Sequence, residues 1–115
     1  MAQGGKGEPE GRICTHFQQA AEIIGRRWTP QVIRVLLAGP RRFGELRDRV
    51  PGISDNLLSE RLKQLEAEGI VLRTVHAGRP VLIEYSLTES GAALGKAIDA
   101  LGEWAERFAG ADVPA

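Results

Sequence analysis

Apolar residues recur along the chain with two periods, and the change from one to the other divides it. Phe17, Ala20, Ala21 and Ile24 have the spacing of one helical face. Before them Thr15-His16-Phe17-Gln18 has the form of a capping box with Thr15 as the cap, and Gly25 supplies a stop. A second helix is predicted from Thr29-Pro30, a capping residue followed by proline at the first helical position, to Gly39-Pro40. Its Val32, Ile33, Val35, Leu36 and Leu37 spread round most of the helix, which predicts a buried one. Phe43, Leu46 and Val50 mark a third, short helix, which Pro51-Gly52 ends.

A fourth helix follows at once, over residues 54–68. Ser54 is its cap, and Ile53 before it is placed to pack on Leu58 as a hydrophobic staple. Gly69 supplies a left-handed stop, with Ile70 folding back on Leu65. Beyond it the period shortens to two. Residues 70–75 and 81–87 read as strands joined by His76-Ala77-Gly78-Arg79-Pro80. Thr88 caps a last helix striped by Leu94, Ile98, Leu101, Ala105 and Phe108, with Ala97 and Trp104 beside them. Three helices, a fourth after a tight turn, a hairpin and a final helix is the winged-helix order. The predicted class is mainly α, of α+β type: a winged helix-turn-helix with a two-stranded wing. Residues 1–12 read as a disordered tail, 13–109 as one domain and 110–115 as a frayed end.

Composition narrows the function without naming it. A chain of 115 residues is one small domain, close to the size where a partner subunit helps. It has no apolar run of the ~20 residues that span a bilayer and no apolar leader at its start. A single cysteine excludes an intrachain disulfide and fits a cytoplasmic location. The net charge is zero, but residues 41–79 carry eight Lys/Arg against six Asp/Glu, and residues 80–115 two against six. The middle of the chain is basic and its end acidic.

That basic middle contains the fourth helix. Leu58, Leu62 and Leu65 fall on one side, while Asn56, Glu60, Lys63 and Ala67 fall opposite, with Ser59 and Gln64 at the edges. Most such faces merely meet solvent. Here the helix follows another after a tight turn, as DNA-reading helices do. Ser54, Asn56 and Ser59 are short enough to approach base edges, and Glu60 either accepts from a cytosine amino group or pairs with Lys63 or Gln64 to order them. Arg61 and Lys63 are candidates for phosphate contacts, as are Arg41 and Arg42 before the third helix and Arg79 at the hairpin tip.

The motifs Ile24-Gly25-Arg26-Arg27-Trp28-Thr29, Leu36-Leu37-Ala38-Gly39-Pro40-Arg41-Arg42-Phe43-Gly44-Glu45-Leu46 and Pro51-Gly52-Ile53-Ser54 occur in that order. Leu58-Ser59-Glu60-Arg61-Leu62, Gly69-Ile70-Val71, Arg73 and Glu84-Tyr85-Ser86-Leu87-Thr88 follow. This ordered set, over about residues 13–108, resembles the HxlR-type regulators of bacteria, within the broader MarR-like group. The resemblance implies a dimeric winged-helix regulator, repressor or activator, on a pseudo-palindromic double-stranded DNA operator. It implies a reading helix at residues 54–68, a wing at residues 70–87 and dimer contacts on the first and last helices. Phe17, Ile24, Leu94, Ile98, Leu101, Trp104 and Phe108 are then the interface candidates. Apolar surplus on the last helix points the same way.

Some members of that family sense electrophiles or oxidants through a cysteine just before the first helix. Cys14 stands there, beside Arg12 and His16, at a helix N-terminus of the kind that favours a thiolate. Thr15 replaces the family's frequent proline after the cysteine. The bland alternatives are a small, partly buried side chain at a subunit seam and a tail residue with no role. An enzyme finds no support: the two histidines lack ligand spacing, so neither metal nor cofactor is expected, and Gly4-Gly5-Lys6-Gly7 is no phosphate loop. Two rivals of other classes stand beside DNA reading. One is a winged-helix protein-interaction module. The other is a sensor with a small-molecule pocket at a dimer interface, lined by Trp28 and Trp104.

Overall fold

A computed structural model describes residues 14–109; the tails expected at 1–12 and 110–115 lie outside the described residues, as does residue 13. The elements run α1 (Thr15–Gly25), α2 (Thr29–Leu37), β1 (Arg41–Arg42), α3 (Phe43–Arg49), α4 (Asp55–Ala67), β2 (Val71–His76), β3 (Leu82–Leu87) and α5 (Glu89–Trp104). A wider π-type turn over Ala105–Ala109 continues α5. Helices α3 and α4 form the helix-turn-helix and β2–β3 the wing, as the change of period predicts.

Two helix starts differ from expectation by one residue. Thr15 is the first residue of α1 rather than its cap; Cys14 holds that place, its Sγ accepting the Phe17 N–H at 3.3 Å. At α2 the residue before the helix is Trp28, in the left-handed region at φ 78°, and Thr29 begins the helix. Thr29 is buried with its hydroxyl unpaired, and Pro30 takes the second position, where its missing N–H is still no loss. Gly52, at φ 96°, makes room for the Trp28 indole: a Cβ there would stand 3.3 Å from Cη2 of the ring.

The wing is not a simple two-stranded hairpin. Arg41 and Arg42 pair with Tyr85 and Glu84, adding β1 on the far edge of β3 in the order β1-β3-β2. A two-residue strand carries no periodicity to read, which is why the pattern shows only two.

The ends of α4 are fixed as predicted. The Ser54 hydroxyl accepts the Leu57 N–H at 3.1 Å. At the other end Gly69 lies at φ 74°, with its N–H on the Glu66 carbonyl at 3.0 Å and the Ile70 N–H on the Leu65 carbonyl at 2.9 Å. This pair is a Schellman stop. Thr88 then fastens α5 to that junction. Its hydroxyl donates to the Gly69 carbonyl at 2.6 Å and accepts the Gly91 N–H at 3.0 Å.

The core gathers around α2. Val32, Ile33 and Leu36 meet Leu46 and Val50 of α3, Leu58, Leu62 and Leu65 of α4, Val71 of β2 and Ile98 of α5. The glycines of α5 serve this packing within the chain. A Cβ on Gly95 would stand 2.8 Å from Leu37 Cδ1, and one on Gly102 would stand 2.5 Å from the Arg34 guanidinium. Helix α1 differs from the rest in burying none of its residues.

Candidate nucleic-acid interface

A turn of about 100° per residue gives α4 three working sides. Leu58, Leu62 and Leu65 hold it to the core, fully or almost fully buried. Asn56 and Glu60 point outward and are exposed. Ser59, Lys63 and Glu66 turn toward the wing, where with Leu62, Arg73 and Tyr85 they line an open cleft of about 420 Å³.

The remaining side faces the connection between α1 and α2, and here one expectation is corrected. Arg61 is not available to phosphate as predicted. Its Nε donates to the Arg27 carbonyl at 2.8 Å, its Nη1 to Gln64 Oε1 at 3.2 Å, and its side chain is only 15% exposed. Arg26 reaches the same place, donating to Gln64 Oε1 at 3.0 Å and to both oxygens of Glu68 at 2.8 and 2.6 Å. The reading-helix candidate is thus latched from behind by three polar residues of its own. Glu60 lies on the edge of this network, 4.0 Å from Arg61 and exposed.

The other candidate cations divide by exposure. Lys63, Arg42 and Arg79 are exposed, Arg79 in the turn between β2 and β3. Arg41 is half-buried, and its Nε is buried with no partner among the described residues. The Arg42 backbone N–H donates to Glu45 Oε1 at 2.8 Å, capping α3. That hydrogen bond lowers the Glu45 pKa below the ordinary value of 4.5, and the nearby Arg42, Arg41 and Arg49 add to the effect. Arg47 is committed to Asp55 at 3.4 Å and Asp48 at 3.7 Å, between α3 and α4.

Arg73 is the residue that pattern reasoning leaves without a role. It lies in the middle of β2 directly opposite Tyr85, which is itself opposite Arg41, so the three form one row across the sheet. Its signal is parity: Arg73 falls two residues after the buried Val71, an exposed charge on the apolar side of a strand.

The candidate subunit-contact residues also divide. Phe17, Leu101, Trp104 and Phe108 are each more than half exposed, and the last two rings lie 6.1 Å apart. Ile24 and Leu94 are partly buried against the core. Ile98, expected at the interface, is 5% exposed and belongs to the chain's own core. Trp28 packs on that core too, whereas Trp104 lies on the exposed end of α5. Cys14 is half-buried, and Arg12 lies outside the described residues. Among the described residues no group of three or more His, Cys, Asp or Glu is arranged to hold a metal ion, and no helix is long and apolar enough to cross a membrane.

Comparison with known proteins agrees with this geometry. The model of the HxlR-like helix-turn-helix family matches residues 23–113. The HTH-type transcriptional regulator YvaP of Bacillus subtilis (strain 168) is 42% identical over 99 residues, 86% of this chain and 92% of its own. YodB, an HTH-type transcriptional regulator of the same organism, is 41% identical over 96 residues, 84% of this chain and 86% of its own. The solved structure of reduced YodB matches with a TM-score of 0.75 over 84% of this chain and 94% of that one. YodB has also been solved treated with diamide and bound to quinone. The redox regulator HypR in its oxidized form matches at a TM-score of 0.76 and 35% identity, over 80% of this chain and 95% of its own. These relatives are transcriptional regulators, not enzymes. With its helix-turn-helix, its wing and a match over most of its length, this chain belongs to the HxlR-like helix-turn-helix family of transcriptional regulators.

Proposed function

We propose that the protein is a cytoplasmic homodimer that reads a pseudo-palindromic DNA operator, with α4 in the major groove and the wing on the adjacent backbone. The observation that carries this reading is the division of α4 into a core side, a latched side and an open side. The open side holds short or hydrogen-bonding groups, Ser54, Asn56, Ser59 and Glu60, beside the cations Lys63 and Arg73, with Arg79 exposed in the turn of the wing. Base edges are read by the first group and phosphates held by the second, with Arg41 and Arg42 flanking. Ser54 keeps its hydroxyl proton for a base while its oxygen caps the helix. The dimer is supported by α1, which rests on the core only through the partly buried Ile23 and Ile24 and leaves Phe17 exposed, and by the exposed Leu101, Trp104 and Phe108.

Cys14 is the proposed effector site. Its sulfur caps α1, so a quinone adding at Sγ, with the quinone carbon and oxygen framework taking up the proton, would withdraw the acceptor from the Phe17 N–H. Diamide would instead take two electrons and two protons from two thiols. With one cysteine per chain, the second thiol comes from the other subunit or from a small molecule. The diamide-treated and quinone-bound forms of YodB support effectors of this chemical class.

Selection of bound fragments from genomic DNA by the purified protein, followed by titration at several salt concentrations, tests the reading. Salt-dependent binding to a two-fold symmetric site is the expected result. Salt-independent binding, or none, would favour a protein-interaction module. Treatment with diamide or quinone should change operator affinity in the wild type and leave Cys14→Ala unchanged.

A further inference from the structure

We propose that the cleft between α4 and the sheet is a seat for one DNA backbone phosphodiester, held by Lys63 from the helix and by Arg73 and Tyr85 from the strands. The proposal rests on the DNA-reading function above and adds the site that fixes how far α4 enters the groove. Three observations converge on it. The cleft is open and walled by Ser59, Lys63 and Glu66 on one side and by Arg73 and Tyr85 on the other. Its two cations outnumber the one acid. The strand pairing places Arg41, Tyr85 and Arg73 in a single row, so a guanidinium stands on either side of the tyrosine.

The donors are also uncommitted. Among the described residues neither Lys63 nor Arg73 forms an ion pair within 4.0 Å, although Glu66 lies in the same cleft, and the Tyr85 hydroxyl has no hydrogen-bond partner. By contrast, Arg26, Arg34, Arg47 and Arg61 all find carboxylate or carbonyl acceptors. The ring of Tyr85 packs on the core, which holds its hydroxyl in place at little entropic cost. Arg41 adds a buried, unpartnered Nε donor to the same row. A tetrahedral anion with several acceptor oxygens suits such a set better than a planar base edge does. A guanidinium, an ammonium and a phenol are typical phosphate donors. Because the seat joins helix to wing, a phosphate there would be gripped by both elements at once.

The test is a fluorescence-anisotropy titration of wild type, Arg73→Gln, Arg73→Lys and Tyr85→Phe on a selected operator duplex and a scrambled duplex, over a range of salt. Arg73→Gln should weaken both duplexes by about tenfold and flatten the slope of log affinity against log salt by about 0.9. Arg73→Lys should keep the slope, and Tyr85→Phe should cost both duplexes about threefold with the slope unchanged. A duplex series with single methylphosphonates should then show one position whose neutralisation weakens wild type but not Arg73→Gln. If wild type binds with a salt slope and Arg73→Gln retains both slope and methylphosphonate sensitivity, the seat is wrong while DNA reading stands. If wild type shows no salt-dependent binding, both are wrong.

Discussion

Arg26 and Glu68, 42 residues apart in sequence, are joined by two hydrogen bonds of 2.8 and 2.6 Å. Arg26 ends α1 and Glu68 ends α4, so this pair ties the helix that carries Cys14 at its start to the helix that carries the proposed reading face. Gln64 lies at the centre of the latch, its Oε1 shared between Arg26 and Arg61. Both partners of the Arg26–Glu68 pair are partly screened from solvent, at 23% and 34% side-chain exposure. Arg26→Ala is therefore expected to cost about 1 kcal/mol in urea unfolding, above the usual value of an exposed pair. A double-mutant cycle with Glu68→Ala should recover most of that as coupling. Additive effects would show that the two side chains act independently.

Arg61 and Lys63, two residues apart, are expected to fail differently. Arg61 holds the Arg27 carbonyl and is mostly buried, so Arg61→Ala should lower stability by about 1–2 kcal/mol. It should leave the salt slope of DNA binding as it is. Lys63 is exposed on the wing side, so Lys63→Ala should leave stability within about 0.5 kcal/mol and reduce the slope by about 0.9. Chemical denaturation and salt titrations on the same preparations decide it, and the reverse pattern would invert the two roles.

Gly91 and Gly95 distinguish a rigid obstacle from a yielding one. A Cβ on Gly91 would lie 2.1 Å from the Ile70 carbonyl oxygen, in the junction that Thr88 holds by hydrogen bonds. Backbone there has nowhere to go. Gly91→Ala is expected to destabilise by about 3 kcal/mol or more. On Gly95 the obstacle is the end of the Leu37 side chain, 2.8 Å away, which has other rotamers. Gly95→Ala should cost about 1 kcal/mol less, by thermal or urea unfolding, and equal losses would mean that α5 moves as one body.

What the sequence makes legible here is whatever depends on spacing. The Ser54 cap, the Gly69 stop and the leucine seam of α4 each occupy fixed positions relative to one another, and each is found where the pattern puts it. Cys14 and Trp28 escape because a cap is chosen by backbone conformation. A sulfur and a left-handed tryptophan serve where threonine would be the usual choice next door. Arg61 and Lys63 are both basic and near the outer face, but α4 turns the first toward the Arg27 carbonyl and the second toward the wing. Only the packing of α4 between the two neighbours distinguishes them. Ile98 shows the same limit for apolar residues, since a stripe does not say which of its members the chain itself covers.

Glu45 gives the fold a pH dependence of known sign. Its carboxylate accepts the Arg42 backbone N–H, and this bond, helped by the surrounding arginines, lowers its pKa in the folded state. A carboxylate with a depressed folded pKa contributes stability above its unfolded value, and that contribution is lost as pH falls through the folded one. Wild type should therefore exceed Glu45→Gln in stability at neutral pH. The difference should shrink as pH falls from the ordinary value of 4.5 through the depressed range. A gap constant over that range in urea unfolding would assign the effect to the side-chain amide and not to charge.

Helix α1 makes the oligomeric state a question about folding as well as binding. It has 11 residues, buries none of them and leaves Phe17 62% exposed. Helices below ~12–15 residues are marginal in water on their own. The C-terminal end of α1 rests on the core through Ile23 and Ile24 and on α4 through Arg26, but the turns around Phe17 have no such surface among the described residues. The exposed Leu101, Trp104 and Phe108 offer one on a second copy, and closing that contact by a two-fold axis would use both helices at once. Trp104 is about half exposed, so Trp104→Glu removes little from the chain's own core. In sedimentation velocity at micromolar concentration, wild type should run as a dimer and this variant as a monomer. The monomer should also lose a small part of its far-UV helical signal, because the turns of α1 around Phe17 fray when their support goes. Wild type running as a monomer with full helical signal would leave α1 stable without a partner and would remove the two-fold operator geometry with it.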